Sequence, residues 1–188
     1  MQYYDHIISV AKAAACKHGF LFLTKRFFTP TQLLTLYKGQ IRPCLEYCSH
    51  FWRGASKHSL TILDAIQRRA IRLIGDPALT DTLDSLAHRR SVSALSLFYR
   101  YYHGFCSDEI KSIIPPKASF AWNTRFSKIQ HPYALKLGTN RTRAFANSFI
   151  PMTSRDWNSL PSTVFPTTYN LQFFKTSIHR YLRLLPNP

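Results

Sequence analysis

The chain has 188 residues, 45% of them apolar and 14% aromatic, with 25 Lys and Arg against 9 Asp and Glu, a formal net charge of +16. That apolar content excludes intrinsic disorder, and the charge excess calls for an anionic partner, nucleic acid or a membrane surface. Arginine outnumbers lysine fifteen to ten. Because a guanidinium pairs bidentately with phosphate and stacks on bases, the balance leans towards nucleic acid. Cys16, Cys44, Cys48 and Cys106 are too few and too scattered for a disulfide framework. The N-terminus lacks the basic and apolar regions of a secretory signal, and no run approaches the about 18–20 apolar residues that span a bilayer. The expected location is therefore intracellular, in nucleus or cytoplasm, with no membrane partner.

In chain order, alanines 11 and 13–15 favour a first helix over 3–18 that ends at Gly19. Thr29 and Pro30 open a second over 30–40, and Pro43 bends the chain into a third over 44–52. The best-marked element comes next, at 57–74. Ser56 is its N-cap, Gly75 stops it, and Leu60, Leu63, Ile66 or Gln67, Ala70 and Ile74 recur at three- and four-residue steps as a buried stripe. A helix from about 80 or 85 to 103 carries Leu86, Val92, Leu95, Leu97, Phe98 and Tyr102. A short one runs from Ser107 to Ile114, closed by Pro115 and Pro116.

Beyond Pro116 the composition turns to Pro, Ser, Thr and Asn. The patches Tyr133–Leu137 and Phe145–Ile150 alternate like short strands. Thr153 or Ser154 is placed to cap one turn carrying Trp157 and Leu160, and Asn170 to cap a final amphipathic helix over 171–184. The expected fold class is mainly α: a helical bundle over 1–116, followed over 117–188 by a small, irregular, Pro-rich α+β module.

The candidate phosphate contacts are cationic. Lys57, Arg68, Arg69 and Arg72 lie off the buried stripe of the 57–74 helix, with Arg68 and Arg72 one turn apart on one face. Arg89 and Arg90 extend the set on the next helix. Arg141 and Arg143 form a second patch in a loop between the expected strands. For each, the plainer alternative is a solvated surface. Trp52, Trp122, Trp157 and the Tyr101–Tyr102 pair are candidate base stackers, although core packing is the better reading of the tryptophans. Cys44 and Cys48 with His50 and His58 superficially resemble a zinc cluster. Their spacing and apolar neighbours fit core thiols better, so no metal site is assigned.

Several strings together resemble a known family. LYKGQIRPCLEYCSHFWRGAS (36–56), LDAIQRRAIRLI (63–74) and FYRYYHGFCSDEI (98–110) are similar to the region after the polymerase core in non-LTR retrotransposon reverse transcriptases, jockey-type elements above all. RTRAFANSFIPMTSRDWNSLPSTVFP (141–166) and FFKTSIHRYL (173–182) continue the likeness. It implies a thumb-like bundle that grips a primer–template duplex beside the palm domain of a larger RNA-directed DNA polymerase. The polymerase would use Mg2+ held by paired aspartates about 3.5–4 Å from metal to metal, in a Tyr/Phe-Ala-Asp-Asp motif. This chain carries no such motif. Its one adjacent acidic pair, Asp108-Glu109, suits the start of a helix. The expectation is a non-catalytic fragment without a cofactor of its own, not itself an enzyme, that binds RNA or an RNA–DNA duplex through backbone phosphates. The alternatives are a protein-interaction module, with residues 20–52 docking on the polymerase core, or an inactive mobile-element remnant.

Overall fold

The computed structural model describes residues 3–118, 131–139 and 142–185. The chain is mainly α and divides into two compact units, Met1–Arg90 and Ser91–Pro188. The division falls earlier than the change of composition after Pro116, because the aromatic residues of the second half of a long helix take their own hydrophobic cluster.

In the first unit, helix α1 covers Tyr4–Thr24 and continues past Gly19. Leu21 is buried beyond that glycine and keeps the helix in register with the core. The extension joins Phe20–Leu23 to the alanine-rich part. Contrary to the sequence expectation, the segment Tyr4–Phe27 is then long and apolar enough, at mean hydropathy 1.3, to match a bilayer span in length and composition. Four of its residues, Ile7, Ala11, Ala14 and Leu21, are core residues of the unit.

Helix α2, Pro30–Leu36, starts as expected. Thr29 accepts from the Gln32 backbone N–H and its own N–H donates to the Gln32 side chain at 2.8 Å, a reciprocal cap. Pro43 then reshapes the next segment. It has no N–H for the carbonyl of residue 39 and crowds it, and the helix widens into a π-turn over Tyr37–Ile41 before resuming as α3, Arg42–Glu46. The helix expected over 44–52 is broken: Tyr47 is extended and Cys48 left-handed at φ 51°, after which α4 covers Ser49–Trp52. The buried Trp52 holds this break by donating its indole N–H to the Tyr47 carbonyl at 3.3 Å.

Helix α5, Lys57–Ile74, has the expected ends. Ser56 accepts from the Ser59 N–H at 3.1 Å, and Gly75 takes the left-handed conformation at φ 69°, which only glycine adopts freely. Leu63, Ile66, Ala70, Leu73 and Ile74 bury its inner face against α1 and α2. A single turn, α6, covers Pro77–Thr80, and α7 covers Leu86–Tyr102.

The second unit gathers Phe98, Tyr99, Trp157, Phe165 and Phe174 into one aromatic cluster. Tyr99 stacks on Phe174 with ring centroids 4.0 Å apart, and Trp157 meets Phe165 edge-on at 4.8 Å. Trp52 and Trp157 are thus core residues, while Trp122 lies outside the described residues. Helix α8, Asp108–Ile113, starts with both acidic residues in its first turn.

The α+β character expected beyond 117 is not found among the described residues. Strand pairing there amounts to one antiparallel bridge, Lys117 with Leu135. The patch Phe145–Ile150 is helical, split between α9, Arg143–Ala146, and α10, Phe149–Asn158. Pro151 is compatible with α10 because it sits in the first turn, where backbone N–H groups lack intrahelical partners. Helix α11, Leu171–Leu184, is capped by Asn170, whose side chain accepts from the Phe173 N–H at 2.9 Å.

Candidate nucleic-acid interface

The rigid capping and packing of α5 decide where its cations point. With Leu63, Ile66, Ala70 and Ile74 inward, Lys57, Arg68 and Arg72 share the opposite, exposed face. At 1.5 Å per residue, Arg68 and Arg72 stand about 6 Å apart along the axis and Lys57 about 22 Å from Arg72. None of the three makes an ion pair among the described residues. The acids nearest in sequence are engaged elsewhere: Asp64 by Arg90, and Asp76 as the N-cap of α6, its Oδ1 accepting from the Leu79 N–H. The helix dipole favours Arg72 in the last turn but opposes Lys57 at the first helical position. Arg68 and Arg72, like charges one turn apart, repel each other. A polyanion laid along this face relieves both costs.

Arg69 is also exposed but turned by about 100° towards α1. Together with Lys12 and His58 it borders a groove of about 520 Å³ between α1 and α5, floored by Ala11, Ile62 and Ile66.

Arg89 and Arg90 do not join this face. Arg89 forms a two-pronged pair with Glu46, its Nη2 donating to Oε2 at 2.9 Å, and the hydrogen bond to Glu46 raises the Arg89 pKa above its ordinary value. Arg90 is buried at 3% exposure. Its Nη1 and Nη2 donate to Asp64 Oδ1 at 3.4 and 3.3 Å, and the guanidinium lies 6.0 Å from the Trp52 ring centroid. Burial pushes its pKa down while Asp64 opposes that shift. The two residues are corrected from phosphate contacts to structural ion pairs. The reason is their position on α7: Leu86, Arg90 and Ala94 are spaced by one turn and all buried, so Arg90 enters the core face, where a carboxylate must meet it. The Arg89–Glu46 pair also lies beside the buried Tyr37, whose pKa burial pushes up to about 12.

No family model, curated protein or solved structure matches this chain. The site therefore stands on its own geometry.

Arg143 is exposed and begins α9 after the capping Thr142, not in a loop between strands. Arg141 lies outside the described residues. Cys44 and Cys48 are half-buried free thiols rather than members of one helix core. Cys44 Sγ accepts from Lys17 Nζ at 3.1 Å, and among the described residues neither cysteine joins a group of three metal donors. The adjacent acids Asp108 and Glu109 are both exposed in the first turn of α8. The Glu109 carboxyl is held below its ordinary range by a hydrogen bond with Ser107.

One cationic feature escapes the sequence reading. At the end of α1 and in the 3-10 turn Lys25–Phe27, Lys25 lies 5.8 Å from the Phe22 ring centroid and Arg26 4.7 Å from that of Phe27. Phe20, Phe22, Leu23 and Phe27 are each more than half exposed there. The signal that could have found it is charge: residues 6–45 contain six Lys and Arg and no Asp or Glu.

Proposed function

We propose that this chain is a non-catalytic, thumb-like C-terminal part of the RNA-directed DNA polymerase of a non-LTR retrotransposon, and that it holds RNA or an RNA–DNA duplex by its phosphates. The observation that carries the binding role is the outward row Lys57, Arg68 and Arg72, exposed and free of ion pairs among the described residues, on a helix capped at both ends and packed along its inner face. A rigid scaffold limits the entropy lost when long side chains engage phosphates. Contacts of this kind position a polyanion without reading its sequence. The polymerase origin rests on the strings at 36–56, 63–74 and 141–166. In that setting the palm domain of the parent protein, with its Mg2+, supplies the chemistry.

A second reading has its own support. Tyr47, at 74% exposure, and Phe51, at 61%, stand on the surface beside the break between α3 and α4, as they would if that face docked on the polymerase core. Fluorescence anisotropy with a generic RNA–DNA hybrid at low and high salt separates the two. Tight, salt-sensitive binding is expected from the first reading. No binding at low salt would favour docking over phosphate binding.

A further inference from the structure

We propose that the slot between the C-terminal half of α1 and the α2/π-turn segment receives an unpaired base of single-stranded nucleic acid. The proposal rests on the nucleic-acid reading above and extends it from duplex phosphates to single-strand bases. The slot measures about 460 Å³, within the range of small-molecule sites. Phe20 and Phe28 contribute aromatic faces, Leu21, Leu36 and Ile41 form an apolar floor, and Lys17 and Gln40 bring polar groups to its edge. Lys17 Nζ donates to the Gln40 carbonyl at 3.2 Å, which keeps a cation at the mouth, and the exposed Gln40 amide is available to a base edge.

Charge and side-chain type select the occupant. From His6 to Leu45 there is no carboxylate, while Lys12, Lys17, Lys25, Arg26, Lys38 and Arg42 fall in the same stretch. A surface meant for an apolar protein face does not require that bias. Of the five large apolar side chains exposed between residues 20 and 28, four are phenylalanines. Phe20 and Phe28 line the slot, and Lys25 and Arg26 lie against the rings of Phe22 and Phe27, outside its lining but in the same exposed stretch. Aromatic platforms interleaved with cations are the means by which proteins hold single strands without sequence readout, each stacked base adding to affinity while the cations follow the backbone.

The test uses the full chain and three labelled probes. These are an oligouridylate of about a dozen nucleotides, an abasic ribose-phosphate oligomer of the same length and charge, and an RNA–DNA hybrid. Wild type should bind the base-bearing strand about tenfold or more tighter than the abasic one. The double variant Phe20→Leu/Phe28→Leu keeps apolarity and most of the volume but removes the π faces. It should lose that preference while its hybrid affinity and melting temperature stay unchanged. Equal binding of base-bearing and abasic strands by wild type overturns the proposal. So does a variant that weakens all three probes alike, or one that instead abolishes self-association or vesicle binding. If hybrid binding is absent altogether, the α5 reading falls, and base dependence still decides the slot.

Discussion

Removing the Asp64 carboxylate should cost far more than removing the Arg90 guanidinium. Arg90 is 3% exposed, whereas the Asp64 side chain retains 32% of its exposure. In Asp64→Ala a buried cation loses both of its donor contacts and cannot rehydrate. In Arg90→Met an aliphatic stem of similar length still packs over Trp52, and the abandoned carboxylate turns to water. Breaking a buried pair by deleting one partner costs about 3–5 kcal/mol. The partial exposure of Asp64 and the 3.3–3.4 Å contacts reduce the expectation for Asp64→Ala to about 2–3 kcal/mol, a fall in Tm of roughly 5–10 °C for a chain of this size. For Arg90→Met we expect about 1 kcal/mol or less. Urea unfolding of both variants measures the difference, and anisotropy with an RNA–DNA hybrid adds the functional arm. Arg90→Met should bind like wild type, since its guanidinium faces the core. Equal destabilisation by the two substitutions, or loss of hybrid affinity in a folded Arg90→Met, would refute the structural assignment of Arg90.

Two more outcomes are expected in the second unit. His131 Nδ1 accepts from the Tyr133 N–H at 3.2 Å, so its Nε2–H donates to the Trp157 carbonyl at 2.9 Å in the neutral ring. Burial lowers its pKa. A histidine whose folded-state pKa is depressed contributes stability that is complete above its ordinary value of about 6.5 and is lost as pH falls below it. His131→Gln should therefore flatten the decline of stability between about pH 7 and pH 5 in denaturant titrations, and an unchanged slope would show that His131 does not contribute to it. Asn158 meets both backbone groups of the buried Leu135, its Oδ1 accepting from Leu135 N–H at 2.9 Å and its Nδ2 donating to Leu135 C=O at 2.8 Å. Asn158→Ala leaves both unpaired and should cost about 2 kcal/mol or more by chemical denaturation. A loss below about 0.5 kcal/mol would mean that water replaces the amide without penalty.

The legible parts of the sequence were those in which local and tertiary signals agree. Ser56, the stripe from Leu63 to Ile74, and Gly75 all specify α5, and the outward setting of Lys57, Arg68 and Arg72 comes from that stripe alone. Asn170 and the 171–184 pattern did the same for α11. Elsewhere a local cue was overridden. Gly19 suggested a helix stop, but burial of Leu21 carries α1 on to Thr24. Phe145–Ile150 alternates over too few residues to separate strand from helix, and Pro151, in the first turn, does not prevent α10 from forming. Arg90 reads as a surface charge until its partner Asp64, 26 residues earlier, is brought beside it. No spacing rule announces such a pair. The slot between Phe20 and Phe28 was illegible for a related reason: it forms only where the continued α1 meets the segment reshaped by Pro43.

The role of the outward α5 face is tested most directly by the salt dependence of hybrid binding. Each phosphate contact contributes roughly 0.9 to the slope of log K against log salt on duplex DNA. If Lys57, Arg68 and Arg72 each engage one phosphate, replacing all three by alanine in a folded chain should weaken binding at low salt and make the slope shallower by about 3. Binding with an unaltered slope would contradict the claim that this helix face holds the polyanion.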